Sequence, residues 1–292
     1  MNLVSLLPAA TEMLFLLGAG PEVRAVSHEC DFPSEAAALP RATRCRIDPT
    51  ASAAEIDRQG RRFFELGEPL YELELELLAE LAPDWLLTQS QCEVCALPYE
   101  TVRRAVETTP ELARTQVFDL NPQSASEMLH DFTRLGRAIG REQAALQVEQ
   151  ELRARMDRVA AASAARSTRP RTVLIEWTAP LMIAGNWLPE LIELAGGAPG
   201  VSTPGSPSRE TDWAEVLAFD PEVIVIAPCG FDLTRSREEL ETLRRLPHWH
   251  ELSAVRAGRV FPVDGNALFN RPGPRIVDSL ELLAGLLSKP AA

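Results

Sequence analysis

One structural unit is written twice in this sequence. A helix-forming run at residues 70–82 leads through Pro83-Asp84 into the apolar stretch Trp85-Leu86-Leu87-Thr88-Gln89. Much later, Trp213–Phe219 leads through Asp220-Pro221 into Glu222-Val223-Ile224-Val225-Ile226-Ala227. The helix endings repeat as well, as Leu17-Gly18-Ala19-Gly20 in the first half and Leu194-Ala195-Gly196-Gly197 in the second. Strands that alternate with helices are joined by crossovers, and crossovers make the strands parallel and place helices on the sheet faces. A chain that does this in both halves is constrained to two α/β lobes of matched order.

The remaining elements fit that plan. Residues 3–7 are a short buried strand ended by Pro8, and Met13, Leu14, Leu16 and Leu17 give the following helix its apolar face. Residues 23–27 and 117–120 read as further strands. In the second half, residues 171–177 and 260–263 are strands, Leu188–Leu194 is a helix, and residues 274–287 form a closing helix. Between the halves, Leu129, Phe132 and Leu135 recur every three residues, and residues 141–166 contain neither Pro nor Gly. An unbroken helix there would be about 35 to 40 Å long, and two helices hinged at Gly140 are the alternative. The expected fold is therefore two Rossmann-like α/β lobes with parallel sheets, residues 1–120 and 170–292. A linking helix within 121–169 joins them, and a ligand cleft lies between the lobes at the carboxyl ends of the strands.

Charge narrows the function. The 292 residues carry 29 Lys and Arg against 42 Asp and Glu, a formal charge of −13, which argues against a nucleic-acid partner. No run approaches the roughly 18 to 20 apolar residues of a membrane span, so membrane insertion is not expected. The start Met1-Asn2 lacks a basic segment and is not followed by a cleavage pattern. The expected location is cytoplasmic, or periplasmic or extracellular if the start is truncated. Five cysteines without framework spacing are expected to be reduced thiols.

Motifs for catalysis are absent: there is no Gly-x-Ser-x-Gly elbow, phosphate-binding glycine loop or His-Glu-x-x-His pair. His28 leaves a buried strand at its carboxyl end, as either a structural histidine or a neutral imidazole facing a ligand or metal. Cys92-Glu93-Val94-Cys95 is a lone Cys-x-x-Cys pair, short of the four ligands of structural zinc. Three readings stay open for it: structural or ligand-contacting thiols, a metal site, and a redox pair. A metal- or thiol-site enzyme would have to draw on Cys92, Cys95, Cys30 and His28.

Several segments carry a family resemblance. Ser5-Leu6-Leu7-Pro8-Ala9-Ala10-Thr11-Glu12, Ser27-His28-Glu29-Cys30-Asp31-Phe32-Pro33 and Arg271-Pro272-Gly273-Pro274-Arg275, together with the repeated units above, resemble the cobalamin-binding substrate-binding proteins of ABC importers. The resemblance covers essentially the whole chain. It implies the two-lobed, single-helix-linked fold and non-catalytic binding of cobalamin or a related corrinoid between the lobes, with little closure. Another tetrapyrrole or metal chelate is the alternative ligand. On this basis Trp177, Trp187 and Phe269 are expected to pack on the macrocycle or its base. Gln89, Gln91, Asn270 and Arg271 would hydrogen-bond its amides and phosphate, with Cys30 and Cys92 as further contacts. His28 would either coordinate the cobalt or hydrogen-bond the ligand. An importer protein docks its ABC permease through one glutamate per lobe. The matching positions are Glu76 and, in the second lobe, Ala214 with Glu215 beside it, so one docking charge is lost or shifted. Handling or salvage in the cytoplasm is accordingly expected over import.

Overall fold

The computed structural model describes residues 1–91 and 97–290. By contact density the chain divides into two compact units. One holds Met1–Pro122 with Met128–Glu149, and the other holds Gln123–Glu127 with everything from Gln150 onward.

In the first unit the elements run β1 (Leu3–Ser5), α1 (Pro8–Leu16), β2 (Val23–Val26), α2 (Ser34–Ala37), β3 (Thr43–Cys45), α3 (Ala53–Glu65), β4 (Tyr71–Leu73), α4 (Leu75–Leu81), β5 (Trp85–Gln89), α5 (Tyr99–Thr108) and β6 (Gln116–Leu120). The sheet has the order β2-β1-β5-β6, and every pairing in it is parallel. Its central strands β1 and β5 are buried along nearly their whole length, as strands covered on both faces are. Val4, Leu6, Leu86 and Ala25 pack against Leu78, Val102 and Leu112 from the covering segments. Pro8 opens α1 where a missing N–H costs nothing. Just past its end, Gly18 takes the left-handed conformation that lets the chain turn back toward β2.

The run 70–82, read from sequence as one helix, is two elements. Tyr71–Leu73 pairs antiparallel with Thr43–Cys45, and the Glu74 N–H bonds the Ala42 carbonyl, so the helix begins only at Leu75. A partner 30 residues upstream in sequence (Thr43 opposite Leu73) satisfies these backbone groups, and a local pattern cannot register it.

After β6 come α6 (Ala125–Ala138) and α7 (Glu142–Ala164), separated at Gly140, whose φ is +70°. The 23-residue α7 is the long helix expected from the Pro- and Gly-free stretch, about 35 Å in length. Both helices change unit along their course, α6 after Glu127 and α7 after Glu149. Among the described residues no helix is long and apolar enough to cross a membrane.

The second unit continues with β7 (Thr172–Thr178), β8 (Leu181–Ile183), α8 (Leu188–Leu194), β9 (Arg209–Glu210), α9 (Trp213–Phe219), β10 (Val223–Ile226), α10 (Leu233–Leu243), α11 (Ser253–Arg256), β11 (Val260–Pro262) and α12 (Ile276–Leu287). Its sheet has the order β11-β10-β7-β8-β9. The pairings among β11, β10 and β7 are parallel, but β8 and β9 join antiparallel. The expectation of a purely parallel sheet is corrected here. Only Ala179 and Pro180 connect β7 to β8, and so tight a connection can return a strand only antiparallel. Beneath the sheet, Val173, Ile175, Ile224 and Ile226 pack with Val216, Leu243 and Trp249.

The internal repeat is visible in the backbone. α4 ends at Ala82 (φ 40°) and α9 at Asp220 (φ 45°), both left-handed and both followed by proline. The next residue then hydrogen-bonds the segment entering the neighbouring strand: Asp84 N–H to the Asn2 carbonyl, and Glu222 N–H to the Arg171 carbonyl, each 2.8 Å.

Helix α6 is tied to β6 by Arg134. Its guanidinium lies 5.1 Å from the Phe118 ring, reaches the Asp119 carbonyl and pairs with Asp131 one turn back. Burial pushes the Asp131 carboxyl up to about 6, with Asp119 adding to the rise and Arg134 and His130 opposing it. Between about pH 4 and 6 the folded protein holds a proton that the unfolded chain has released, so this group's contribution disfavours folding increasingly as pH rises through that window. Asp131→Asn is therefore expected to gain on the parent protein by about 1–2 kcal/mol between pH 4 and pH 8 in urea melts. A difference between the two proteins that is flat with pH would contradict the shift.

Candidate ligand-binding site

At the carboxyl edge of the first sheet, β2 runs out into Ser27-His28-Glu29-Cys30. Arg41 clamps this loop, donating from Nη1 to the carbonyls of Ser27 (2.9 Å) and Cys30 (2.8 Å). The Cys30 thiol is fully buried, 3.1 Å from Thr11 Oγ1 and 3.2 Å from Ser27 Oγ, and Thr11 in turn donates to Ser5 Oγ. This hydroxyl network closes the loop onto α1 and leaves no Cys30 surface for a ligand.

His28 sits beside the β3–β4 pair. Thr43 Oγ1 is 3.0 Å from its backbone nitrogen and 2.7 Å from Nδ1, and the Tyr71 ring lies 5.4 Å from the imidazole. Burial holds the His28 pKa below the ordinary imidazole range, Glu29 works against that and Arg41 with it, so the ring is neutral at pH 7. Nε2 is out of contact with solvent and, among the described residues, without a hydrogen-bond partner, 3.5 Å from Glu29 Oε1. Leu6, Pro8, Ser27, Glu29 and Leu97 complete a cleft around these rings with about 10 Å³ of accessible space. That is room for about one water molecule. It cannot enclose a macrocycle.

Gln89 and Gln91 flank the end of β5. Gln89 is buried, whereas Gln91 is half-buried and donates to the Pro122 carbonyl at 2.7 Å. Cys92 and Cys95 lie outside the described residues. Cys30, Cys45 and Cys229 are free thiols, and among the described residues no group of three His, Cys, Asp or Glu side chains could hold a metal ion.

The carboxyl edge of the second sheet is aromatic. Trp177, half-buried, donates its indole N–H to the Ala179 carbonyl (3.1 Å), and its ring lies 5.1 Å from that of Phe231. Arg235, in the first turn of α10, stacks over the other ring of this pair, with its guanidinium carbon 3.6 Å from the Phe231 centroid. Asp232 caps that helix by accepting the Arg235 N–H. The loop after β11 converges on the same place. Asn266 N–H bonds the Phe231 carbonyl, Arg271 Nη2 donates to Asn266 Oδ1 (2.9 Å), and Asn270 Nδ2 donates to the carbonyls of Ala227 and Pro228. Trp177, Asn270 and Arg271 are thus brought together, although Arg271 is only 5% exposed. Phe269 is fully buried, and Trp187 is 5% exposed with its indole N–H unpartnered among the described residues. As they stand, both rings belong to the interior of this unit.

Beside Trp177, the Glu176 carboxylate accepts from Ser208 Oγ (2.5 Å), which itself accepts the Gly185 N–H (3.0 Å), and burial pushes the Glu176 pKa up. Gly185 is required there. A Cβ at this position would lie 2.4 Å from backbone atoms of Ser206, Pro207 and Ser208. Thr43, Tyr71, Glu176 and Arg235 were not foreseen from sequence. For Arg235 the only sequence signal is its place three residues after the capping Asp232, and for the others there is none.

The two docking positions differ. Glu76, in the first turn of α4, is exposed and makes no ion pair among the described residues, while Glu215 is held by both terminal nitrogens of Arg209 and by the Thr211 hydroxyl.

Across residues 3–267 the sequence matches the periplasmic binding protein family. The chain belongs to that family. Periplasmic binding proteins of this kind bind solutes without transforming them, which sets aside an enzyme built on Cys92, Cys95, Cys30 and His28. Similar solved structures include a periplasmic heme-binding protein from Pseudomonas aeruginosa, 21% identical with TM-score 0.74, covering 100% of this chain and 95% of that one. The heme-binding protein RhuT from Roseiflexus sp. RS-1 is 19% identical with TM-score 0.74, covering 98% and 97%. The vitamin B12-binding protein BtuF of Vibrio cholerae is 20% identical with TM-score 0.71, covering 98% and 96%. These likenesses establish the two-unit α/β fold with its long helix. A search of curated proteins by sequence returns no match.

Proposed function

We propose that this periplasmic binding protein takes cobalamin or a related corrinoid as its solute. The supporting observation is the Trp177 face, fixed by its N–H bond to Ala179 and backed by Phe231, with an amide and a guanidinium beside it. A flat ring system with a polar rim suits such a wall. A corrin carries amides around its rim and one phosphate in its nucleotide loop. Asn270 spends its two-proton donor on carbonyls and so keeps Oδ1 to accept from a ligand amide. The fork of Arg235 suits the phosphate. The same guanidinium would suit the carboxylates of a haem, which makes haem the competing ligand. Delivery to an ABC permease would engage Glu76 directly, whereas Glu215 would first have to give up Arg209.

Protein recovered from cells supplied with both cobalamin and haem tests the choice. Near-stoichiometric cobalt with a corrinoid absorption spectrum is the expected result. Stoichiometric iron with a haem Soret band, and no cobalt, would overturn the corrinoid assignment.

A further inference from the structure

The contacts of His28 determine which of its nitrogens carries the proton. The backbone N–H of His28 must donate to Thr43 Oγ1, 3.0 Å away, because the hydroxyl oxygen is the only partner of that pair able to accept. The Thr43 hydroxyl proton is then free to point elsewhere, and Nδ1, at 2.7 Å, is the one acceptor within its reach among the described residues. Were the proton on Nδ1 instead, Oγ1 would accept twice and the hydroxyl proton of a residue only 4% exposed would go unbonded. A buried unsatisfied donor of that kind is expensive. The other side of the ring gives the same answer independently. Nε2 is buried and faces the Glu29 carboxylate at 3.5 Å. An N–H there is attracted to the carboxylate, and a lone pair is repelled by it.

We propose that Thr43 is a positioning residue that fixes His28 in the Nε2–H form, so that the imidazole meets the bound solute as a hydrogen-bond donor and not as a ligand to its metal. A metal needs the nitrogen lone pair, and in this form the lone pair is already committed to Thr43. The cleft beside the imidazole, lined by Glu29, Tyr71 and Leu97 among others, has space for a single small group. An acceptor oxygen, such as the carbonyl of a peripheral amide, fits its size. This assignment of the partner rests on the corrinoid reading, but the position of the proton does not.

Nitrogen-15 NMR of the ligand-free protein at pH 7.5–8 tests it, with His28 assigned by comparison with His28→Gln. The expected spectrum has Nε2 in the protonated range and Nδ1 in the unprotonated range. Thr43→Val should blur the two toward a mixture of tautomers, and Thr43→Ser should restore the parent pattern. Protonated Nδ1 in the parent protein would overturn the proposal whatever the variants do. With cyanocobalamin, His28→Ala is expected to weaken binding about fivefold, one ordinary hydrogen bond, and to leave the visible spectrum of the bound vitamin unchanged. A shifted spectrum would show coordination and overturn the proposal, as would unchanged affinity. If cobalamin does not bind the parent protein, the corrinoid reading fails, and the tautomer alone decides the role of Thr43.

Discussion

Trp187→Ala is expected to lower the unfolding free energy by about 3–5 kcal/mol, the range for a large aromatic removed from a packed interior. The side chain is 5% exposed and stands at the start of α8, the helix that packs on α12. Its position is tightly determined. Asn186, immediately before it, is left-handed at φ 53°, and bonds from Asn186 N–H to the Ser206 carbonyl and from Gly205 N–H to the Asn186 carbonyl pin the segment. The neighbouring chain therefore has little freedom to collapse into the space left behind. Because the indole N–H is buried without a partner among the described residues, Trp187→Phe removes that penalty along with part of the ring, and its cost should be about half as large or less. Urea melts with an unchanged slope would report both numbers. An Ala variant as stable as the parent would mean that this ring is not part of the interior.

Trp177→Ala is expected to act on affinity, weakening corrinoid binding about thirtyfold or more, which corresponds to about 2 kcal/mol. Unlike Trp187, this ring is half-buried, and its indole N–H is satisfied by the Ala179 carbonyl, so a flat face is held in place before the ligand arrives. Such preorganised aromatic surface loses little entropy on binding. Trp177→Phe keeps an aromatic face over Phe231 and should retain most of the affinity. Calorimetric titration of each variant, after its melt has shown it folded, gives the comparison. Unchanged affinity for Trp177→Ala would remove the aromatic wall from the site.

The contrast between these two tryptophans marks what could be read in advance. The repeated helix, proline and strand unit is a local pattern, and it located β5, β10, α9 and the long α7 because apolar periodicity and Pro or Gly punctuation act within a few residues. Elements whose backbone partners come from elsewhere were illegible. Tyr71–Leu73 is a strand only because Thr43–Cys45 lies beside it, and Leu181–Ile183 only because it folds back on β7. The site followed the same rule. Placing Trp177, Asn270 and His28 at strand ends required only the alternation of strands and helices. Whether an aromatic at a strand end faces the solute or the interior depends on tertiary packing, so Trp187 and Phe269 carried the same sequence signal as Trp177. The pairing of His28 with Thr43, 15 residues downstream, arises from the β3–β4 pair, and had no sequence signature.

Titration of the purified protein with cyanocobalamin, followed by visible absorbance and calorimetry and repeated with hemin, bears most directly on the function. A corrinoid binder gives one saturable site per chain for cyanocobalamin, with heat released or taken up in step with the spectral change, and binds hemin more weakly. Saturation by hemin with neither heat nor spectral change from cyanocobalamin would contradict it.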